Sequence, residues 1–120
     1  MSSKDNVLVD KSFKFAVRIV NLYKYLINNK KEFVLSKQLL RCGTSIGANI
    51  HESQDAQSRL DFISKLSISL KEAKECKYWI ELLRETDYIT NIEASSLLTD
   101  LIELIKLLTS IIKTSKKNKD

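Results

Sequence analysis

The stretch from Arg41 to Glu52 reads RCGTSIGANIHE and holds both glycines and the only histidine of this 120-residue chain. A phosphate-binding P-loop requires a lysine after its second glycine and a strand before its first, and the sequence offers neither. Gly43 and Gly47 are instead four residues apart, a spacing that places them on one face of a helix. Small residues at this spacing let two helix backbones approach closely, as they do in membrane helices. The stretch therefore predicts a helix that packs tightly against a neighbour.

A polar stripe runs along the same predicted helix, beside the apolar positions Ile46 and Ile50. Its members, which we call the polar seam, recur at intervals of four and three residues: Arg41, Ser45, Asn49 and Glu52. If the seam is buried, its side chains must satisfy one another, because an unpaired buried charge is costly. We therefore expect one network that fixes helix register, either within one chain or across a subunit boundary.

The rest of the chain predicts four helices and no strand, since it contains no proline and only two glycines. Apolar residues at three- and four-residue spacing place the first helix at about residues 9–28 and the second at about 37–53, with Ser36 as its N-cap. The third begins near Arg59 and runs for about 27 residues. Short connections between them make an antiparallel up-down-up-down four-helix bundle the expected fold.

Local capping signals mark where the later helices begin. Ser58 and Asp61 resemble a capping box before the third helix, and Thr90 with Glu93 forms one before the fourth. We assign the remaining ranges by composition: residues 1–8 as a disordered N-terminus, 9–113 as the bundle and 114–120 as a basic C-terminal tail.

The first helix carries more apolar surface than a single small bundle needs. One stripe, predicted to face the core, consists of Phe13, Ala16, Val20, Tyr23 and Ile27. The second stripe consists of Phe15, Ile19, Leu22 and Leu26. A monomer would expose one of them, and large exposed apolar patches mark interfaces, so we predict a homo-oligomer with the second stripe as its interface. The alternative is that both stripes are covered within one chain.

The net charge of +5 is concentrated at the two ends of the chain. Residues 1–37 carry eight Lys or Arg against three Asp or Glu, whereas residues 87–112 are acidic. A polyanion-binding surface is one interpretation, and solubilising charge is the other. The predicted nucleic-acid contacts are Lys11, Lys14 and Arg18 on one face of the first helix, and Lys113, Lys116, Lys117 and Lys119 in the tail.

Several classes of function are disfavoured by the sequence. Arg41 and His51 are ten residues apart, whereas small helical ribonuclease toxins hold an Arg and a His within about one or two helical turns. Cys42 and Cys76 fall in helical segments and read as reduced core residues rather than metal ligands. We expect no enzyme activity, no cofactor and no membrane segment. The N-terminus has no signal-peptide core, so we expect a cytoplasmic protein.

The segment from Leu39 to Leu83 resembles the four-helix bundle proteins of the 23S ribosomal RNA intervening-sequence family. The pattern Arg-x-x-x-Ser-Ile-x-x-Asn-Ile-x-Glu is the most specific part of the resemblance. Its positions here are Arg41, Ser45, Ile46, Asn49, Ile50 and Glu52, followed by Ser58, Arg59, Asp61, Phe62, Leu70, Glu72, Ala73, Tyr78 and Trp79. The resemblance is weak in the fourth helix and the tail.

The resemblance implies an antiparallel bundle that assembles as a ring-shaped homopentamer, and it supplies no catalytic residues. Related bundles are accessory proteins of diversity-generating retroelements, in which a basic pentamer binds nucleic acid and a reverse transcriptase. Five copies of this chain would carry about +25, a field suited to salt-sensitive binding of RNA or DNA. The alternatives are a protein-interaction scaffold that binds a protein partner without nucleic acid, and a small helical nuclease that depends on His51.

Overall fold

A computed structural model describes residues 3–118 of the chain, with side chains from Val7 onward. These residues form four α-helices and, within that range, no strand. The helices span Ser3–Asn28 (α1), Leu35–Ser53 (α2), Arg59–Glu85 (α3) and Asn91–Lys117 (α4). Each helix packs against the next along the chain, and α4 also packs against α1. The prediction of an all-helical four-helix bundle is confirmed.

The last two helices begin where local sequence signals predicted. The Thr90 hydroxyl accepts a hydrogen bond from the Glu93 N–H at 3.1 Å, and the Glu93 carboxylate accepts one from the Thr90 N–H at 2.9 Å. At the start of α3, the Ser58 hydroxyl accepts from the Asp61 N–H at 3.0 Å. Because capping depends on residues three apart, sequence alone was sufficient to place these two starts.

The start of α2 differs from the prediction, because Glu32 and not Ser36 caps it. The buried Glu32 carboxylate accepts hydrogen bonds from the N–H groups of Val34, Leu35 and Ser36, at 3.2, 3.1 and 2.7 Å. The Ser36 hydroxyl instead donates to the Glu32 carbonyl at 2.8 Å. Burial alone would raise the pKa of Glu32, but these backbone donors outweigh it and hold the pKa below its ordinary value. One carboxylate thus satisfies three helix-terminal donors.

Both ends of the chain are more helical than the sequence predicted. The first helix begins at Ser3, where disorder was predicted over residues 1–8, and Leu8 lies in the core at 1% exposure. Its burial explains the extension, since a residue packed in the core holds the preceding turn in place. The fourth helix continues through the predicted tail of residues 114–120 as far as Lys117. Residues 1–2 and 119–120 lie outside the described residues.

The predicted oligomer interface on α1 is the core stripe of the chain itself. Phe15, Ile19 and Leu26 are at most 1% exposed, and Leu22 packs against them half-buried. The stripe predicted to be core includes Phe13, which is 64% exposed. Ala16, Val20, Tyr23 and Ile27 of that stripe are half-buried, so the prediction took a partly buried stripe for the core and the core stripe for an interface. The two stripes have the same three- and four-residue spacing, so periodicity did not distinguish them.

The glycines of α2 lie under α1, and the prediction of close helix packing is confirmed. A Cβ atom added to Gly43 would lie 2.8 Å from two carbons of the Ile19 side chain. A Cβ added to Gly47 would meet the Ser12 carbonyl oxygen at 3.3 Å, which is tight but far less severe. Gly43 therefore leaves the space into which the fully buried Ile19 side chain fits.

Replacing Gly43 with alanine is expected to destabilise the protein by up to about 2 kcal/mol. Overpacking of a filled core costs about 1–3 kcal/mol, and the higher helix propensity of alanine recovers about 1 kcal/mol. Ile19 is β-branched and has little rotamer freedom with which to relieve the clash. The matched variant Gly47→Ala gains the same propensity against a milder contact, so its stability is expected to stay close to that of the unmodified chain.

Urea unfolding followed by circular dichroism at one fixed protein concentration measures both variants. Equal stability of Gly43→Ala and Gly47→Ala would contradict the close contact between Ile19 and Gly43.

Candidate nucleic-acid interface

Two of the three basic residues predicted to contact phosphates on α1 are bound to acidic residues of α4. The Lys11 ammonium lies 2.9 Å from the Glu103 carboxylate, and this bond raises the pKa of Lys11. The Arg18 guanidinium lies 2.7 Å from the Asp100 carboxylate and donates a second hydrogen bond to the Ser96 hydroxyl at 2.9 Å. Both basic side chains therefore have anionic partners inside the molecule.

Lys14, the third residue of that face, pairs with Asp10 one turn earlier on the same helix, at 3.1 Å. Both side chains are largely exposed, so this pair is weak and readily exchanged for another partner. The sequence predicted a basic face on α1, but neutralisation by α4 depends on which helices are neighbours. The phosphate-binding role of Lys11, Lys14 and Arg18 remains a prediction, and their ion pairs weaken it.

The lysines near the C-terminus are placed differently. Lys113, Lys116 and Lys117 lie on the last turns of α4, all three are exposed, and none forms an ion pair with a described side chain. They sit where positive charge also interacts favourably with the helix dipole. Lys119, the fourth tail residue predicted to contact nucleic acid, lies outside the described residues.

Arg41, the first residue of the polar seam, joins α2 to α3. Its guanidinium donates to the Glu72 carboxylate at 3.0 Å and also to the Glu75 carboxylate. Glu75 in turn accepts a hydrogen bond from the Trp79 indole N–H at 3.1 Å. Burial lowers the pKa of Arg41, but the two carboxylates outweigh it and raise that pKa, so the guanidinium stays charged.

The remaining seam residues do not form the single network that the sequence predicted. The Ser45 hydroxyl donates to the Arg41 carbonyl at 2.6 Å, and the Asn49 amide donates to the Ser45 carbonyl at 2.9 Å. Glu52 pairs with Lys65 of α3 at 3.3 Å. The reason is local, because a short polar side chain on a helix is within hydrogen-bond reach of the backbone carbonyl one turn earlier and bonds there rather than to the next side chain of the seam. The seam thus ties α2 to α3 through its two charged ends, within one chain.

The two cysteines meet inside the bundle. Cys42 and Cys76 are both buried free thiols. A hydrogen bond with Cys42 and burial both raise the pKa of the Cys76 thiol. A thiol whose pKa is raised is a poorer nucleophile at neutral pH, so Cys76 fits the predicted role of a reduced core residue.

An open groove of about 450 Å³ runs between α1 and α2. Its lining is mostly small or apolar and comprises Ser12, Phe13, Ala16, Thr44, Gly47, Ala48 and His51. His51 is exposed in this groove, whereas the Arg41 side chain is held against α3. The structure therefore does not bring together the Arg and the His of the nuclease alternative. The Ser12 hydroxyl donates to the Val9 carbonyl at 3.1 Å.

A basic surface that the sequence analysis missed lies on α3. Lys71, Lys74 and Lys77 are exposed and form no ion pair with a described side chain. Tyr78 beside them is 57% exposed. The three-residue spacing of the lysines was visible in the sequence. Glu72 and Glu75 stand between these lysines in sequence, so the segment does not read as basic. In the structure both glutamates bind Arg41 of α2.

A metal site and a membrane-spanning helix each have structural requirements that residues 3–118 do not meet. Within that range, no three His, Cys, Asp or Glu side chains come together as a metal site requires. None of the described helices combines the length and the apolar character that crossing a bilayer demands.

The fold and these surfaces define a small all-helical bundle with charged and apolar surfaces. A family model for the 23S rRNA-intervening sequence protein matches residues 4–110. The chain therefore belongs to the 23S rRNA-intervening sequence protein family, as the resemblance over α2 and α3 indicated.

A solved structure extends this result. The chain is similar to the 1.70 Å crystal structure of a protein of unknown function from the S23 ribosomal protein family of Bacteroides thetaiotaomicron VPI-5482. The two share 64% sequence identity at a TM-score of 0.91, over 92% of this chain and 98% of that chain. No curated protein matches the chain.

Proposed function

We propose that this chain is a non-catalytic, homo-oligomeric bundle that binds RNA or DNA through the phosphate backbone. The observation that carries the proposal is that most acidic side chains of the described residues have partners within the chain, whereas most of the lysines there form no ion pair. Most described acidic residues are engaged in ion pairs or in helix capping. They include Asp10, Glu32, Glu52, Asp61, Glu72, Glu75, Glu85, Glu93, Asp100 and Glu103.

The lysines show the opposite pattern. A large group is exposed and makes no ion pair with a described side chain. This group comprises Lys24, Lys30, Lys31, Lys37, Lys71, Lys74, Lys77, Lys106, Lys113, Lys116 and Lys117. The positive charge of the chain is therefore available to an external polyanion, while much of its negative charge already has a partner. Repetition of this surface in an oligomer would strengthen the field.

The same surface favours binding without sequence preference. Lysines are point charges on flexible stems, and they contact phosphates rather than reading base edges. Binding of this kind releases condensed counterions and weakens steeply as salt rises.

The assembly is proposed to be a ring-shaped homopentamer of antiparallel up-down-up-down bundles. The pairings of Lys11 with Glu103 and of Arg18 with Asp100 support opposed directions of α1 and α4. The α1–α2 groove and the exposed Phe13 beside it support a subunit contact, because an aromatic side chain left in water favours burial. The ring of five copies is carried over from the family resemblance.

Titration of a labelled RNA or DNA at a series of salt concentrations tests nucleic-acid binding. We expect binding by fluorescence anisotropy at about 50 mM salt and a loss of affinity of tenfold or more by about 200 mM. The slope of log affinity against log salt gives the number of phosphates contacted. Absence of binding to single-stranded and duplex probes at low salt would refute the proposed function.

Light scattering tests assembly independently of any ligand. We expect a mass several times the 13.8 kDa of one chain, and near five times that mass for the pentamer. Phe13→Glu is expected to lower the mass, since it places a charge where an apolar side chain would be buried. Leu60→Glu is the control, because Leu60 is also exposed, at 80%, but lies outside the groove. A monomeric mass for the unmodified chain would contradict the homo-oligomer.

The groove also supports a second candidate, a scaffold that binds a protein such as a reverse transcriptase. In that case the apolar lining around Phe13 seats a side chain of the partner, and the lysines only keep the assembly soluble. A chain that binds neither RNA nor DNA at low salt, and whose mass Phe13→Glu leaves unchanged, would favour this candidate over the first.

A further inference from the structure

The outward face of α3 presents a long row without any acidic side chain. Its positions alternate by four and three residues, which places them along one face of the helix. They are Leu60, Ser64, Ser67, Lys71, Lys74 and Tyr78, and every one of them is exposed. Lys77, also exposed, flanks the row three residues after Lys74. The next acid along the helix, Glu81, comes beyond Tyr78 and is half-buried.

The glutamates that stand between these lysines in sequence are bound to a neighbouring helix. Glu72 and Glu75 bind the Arg41 guanidinium on α2, although Glu75 lies only one turn from Lys71 on α3. Their charge is therefore balanced within the bundle. The three lysines make no ion pair with a described side chain and can therefore bind solvent or a ligand. On α1, by contrast, Lys11 and Arg18 are bound to acidic residues of α4.

Tyr78 adds an aromatic surface beside the lysines. Its ring packs edge-to-face against Trp79, with ring centroids 5.1 Å apart and planes at 76°. The Trp79 indole N–H is in turn fixed by Glu75, the carboxylate that Arg41 holds. A ring supported from one side and 57% exposed is a platform on which a base can stack.

We propose that this surface of α3, formed by Lys71, Lys74, Lys77 and Tyr78, is where single-stranded RNA or DNA binds. The lysines contact phosphates and Tyr78 stacks on one unpaired base. A single strand fits better than a duplex, because the bases of a duplex are already stacked on one another. This inference rests on the proposed function and names the site and strand form that the function uses.

Two triple variants of equal charge change test the placement. One replaces Lys71, Lys74 and Lys77 with glutamine, and the matched control replaces Lys11, Lys14 and Arg18 with glutamine. Each variant removes three positive charges, so any effect of net charge alone is the same in both. Anisotropy titrations use a labelled single-stranded RNA across salt. Circular dichroism and light scattering verify that fold and assembly are kept.

The α3 variant is expected to lose about tenfold or more in affinity at low salt, and its salt slope is expected to become shallower by about 2. The α1 variant is expected to lose much less. An α1 variant that loses as much affinity as the α3 variant, or more, overturns the placement but leaves the proposed function standing. If the unmodified chain binds no probe, the proposed function itself fails and this inference falls with it.

Substitutions at Tyr78 test the base-stacking part. Tyr78→Leu keeps an apolar side chain against Trp79 but removes the aromatic ring, whereas Tyr78→Phe keeps the ring. We expect Tyr78→Leu to weaken single-strand binding about fivefold or more and duplex binding hardly at all, and Tyr78→Phe to bind as the unmodified chain does. Equal losses on single strand and duplex, or no loss with Tyr78→Leu, would overturn the stacking role.

Discussion

The contact between Ile19 and Gly43 sets the rotation of α1, and much of the molecular surface depends on that rotation. Gly43 has no side chain, and the space it leaves is filled by the fully buried Ile19. Once Ile19 points into α2, Phe15 and Leu26 on the same stripe must point into the core. Phe13, two residues before Phe15, then points into the solvent beside the α1–α2 groove.

The same rotation decides where the positive charge of the chain is available. It brings Lys11 and Arg18 next to the acidic residues of α4, where they form ion pairs. On α3 the acids are instead bound to Arg41, and the lysines face outward. Net charge is a property of the whole chain. It therefore favours binding of a polyanion without indicating which helix binds it. We infer the location from the pattern of internal ion pairs.

Features that depend on neighbours in sequence were predictable, and those that depend on neighbours in space were not. The capping box of Thr90 and Glu93 follows from residues three apart, and the glycine pair of α2 from residues four apart. The family resemblance likewise rested on short spacings within α2 and α3. By contrast, the ion pair of Arg18 with Asp100 joins helices at opposite ends of the chain. No local pattern reveals such a pair.

Two errors had a signal that the sequence did contain. Leu8 continues the stripe of Phe15, Ile19 and Leu26 at the same spacing, which would have identified both the core face of α1 and its earlier start. Glu32 precedes the start of α2 within reach of its first N–H groups, although carboxylate capping from that distance is less common than capping by the adjacent serine. Spacing alone did not show which of the two α1 stripes is the core stripe, because Leu8 was not counted together with Phe15, Ile19 and Leu26.

Internal ion pairing occupies basic residues of α1 and leaves the lysines of α3 as the surface that we propose for polyanion binding. Lysine acetylation followed by mass spectrometry, with and without bound single-stranded RNA, tests it most directly because it reports each lysine separately in the unmodified protein. Bound RNA is expected to protect Lys71, Lys74 and Lys77 from acetylation and to leave the reactivity of Lys11 and Lys14 unchanged. Protection of Lys11 and Lys14 without protection on α3 would contradict it.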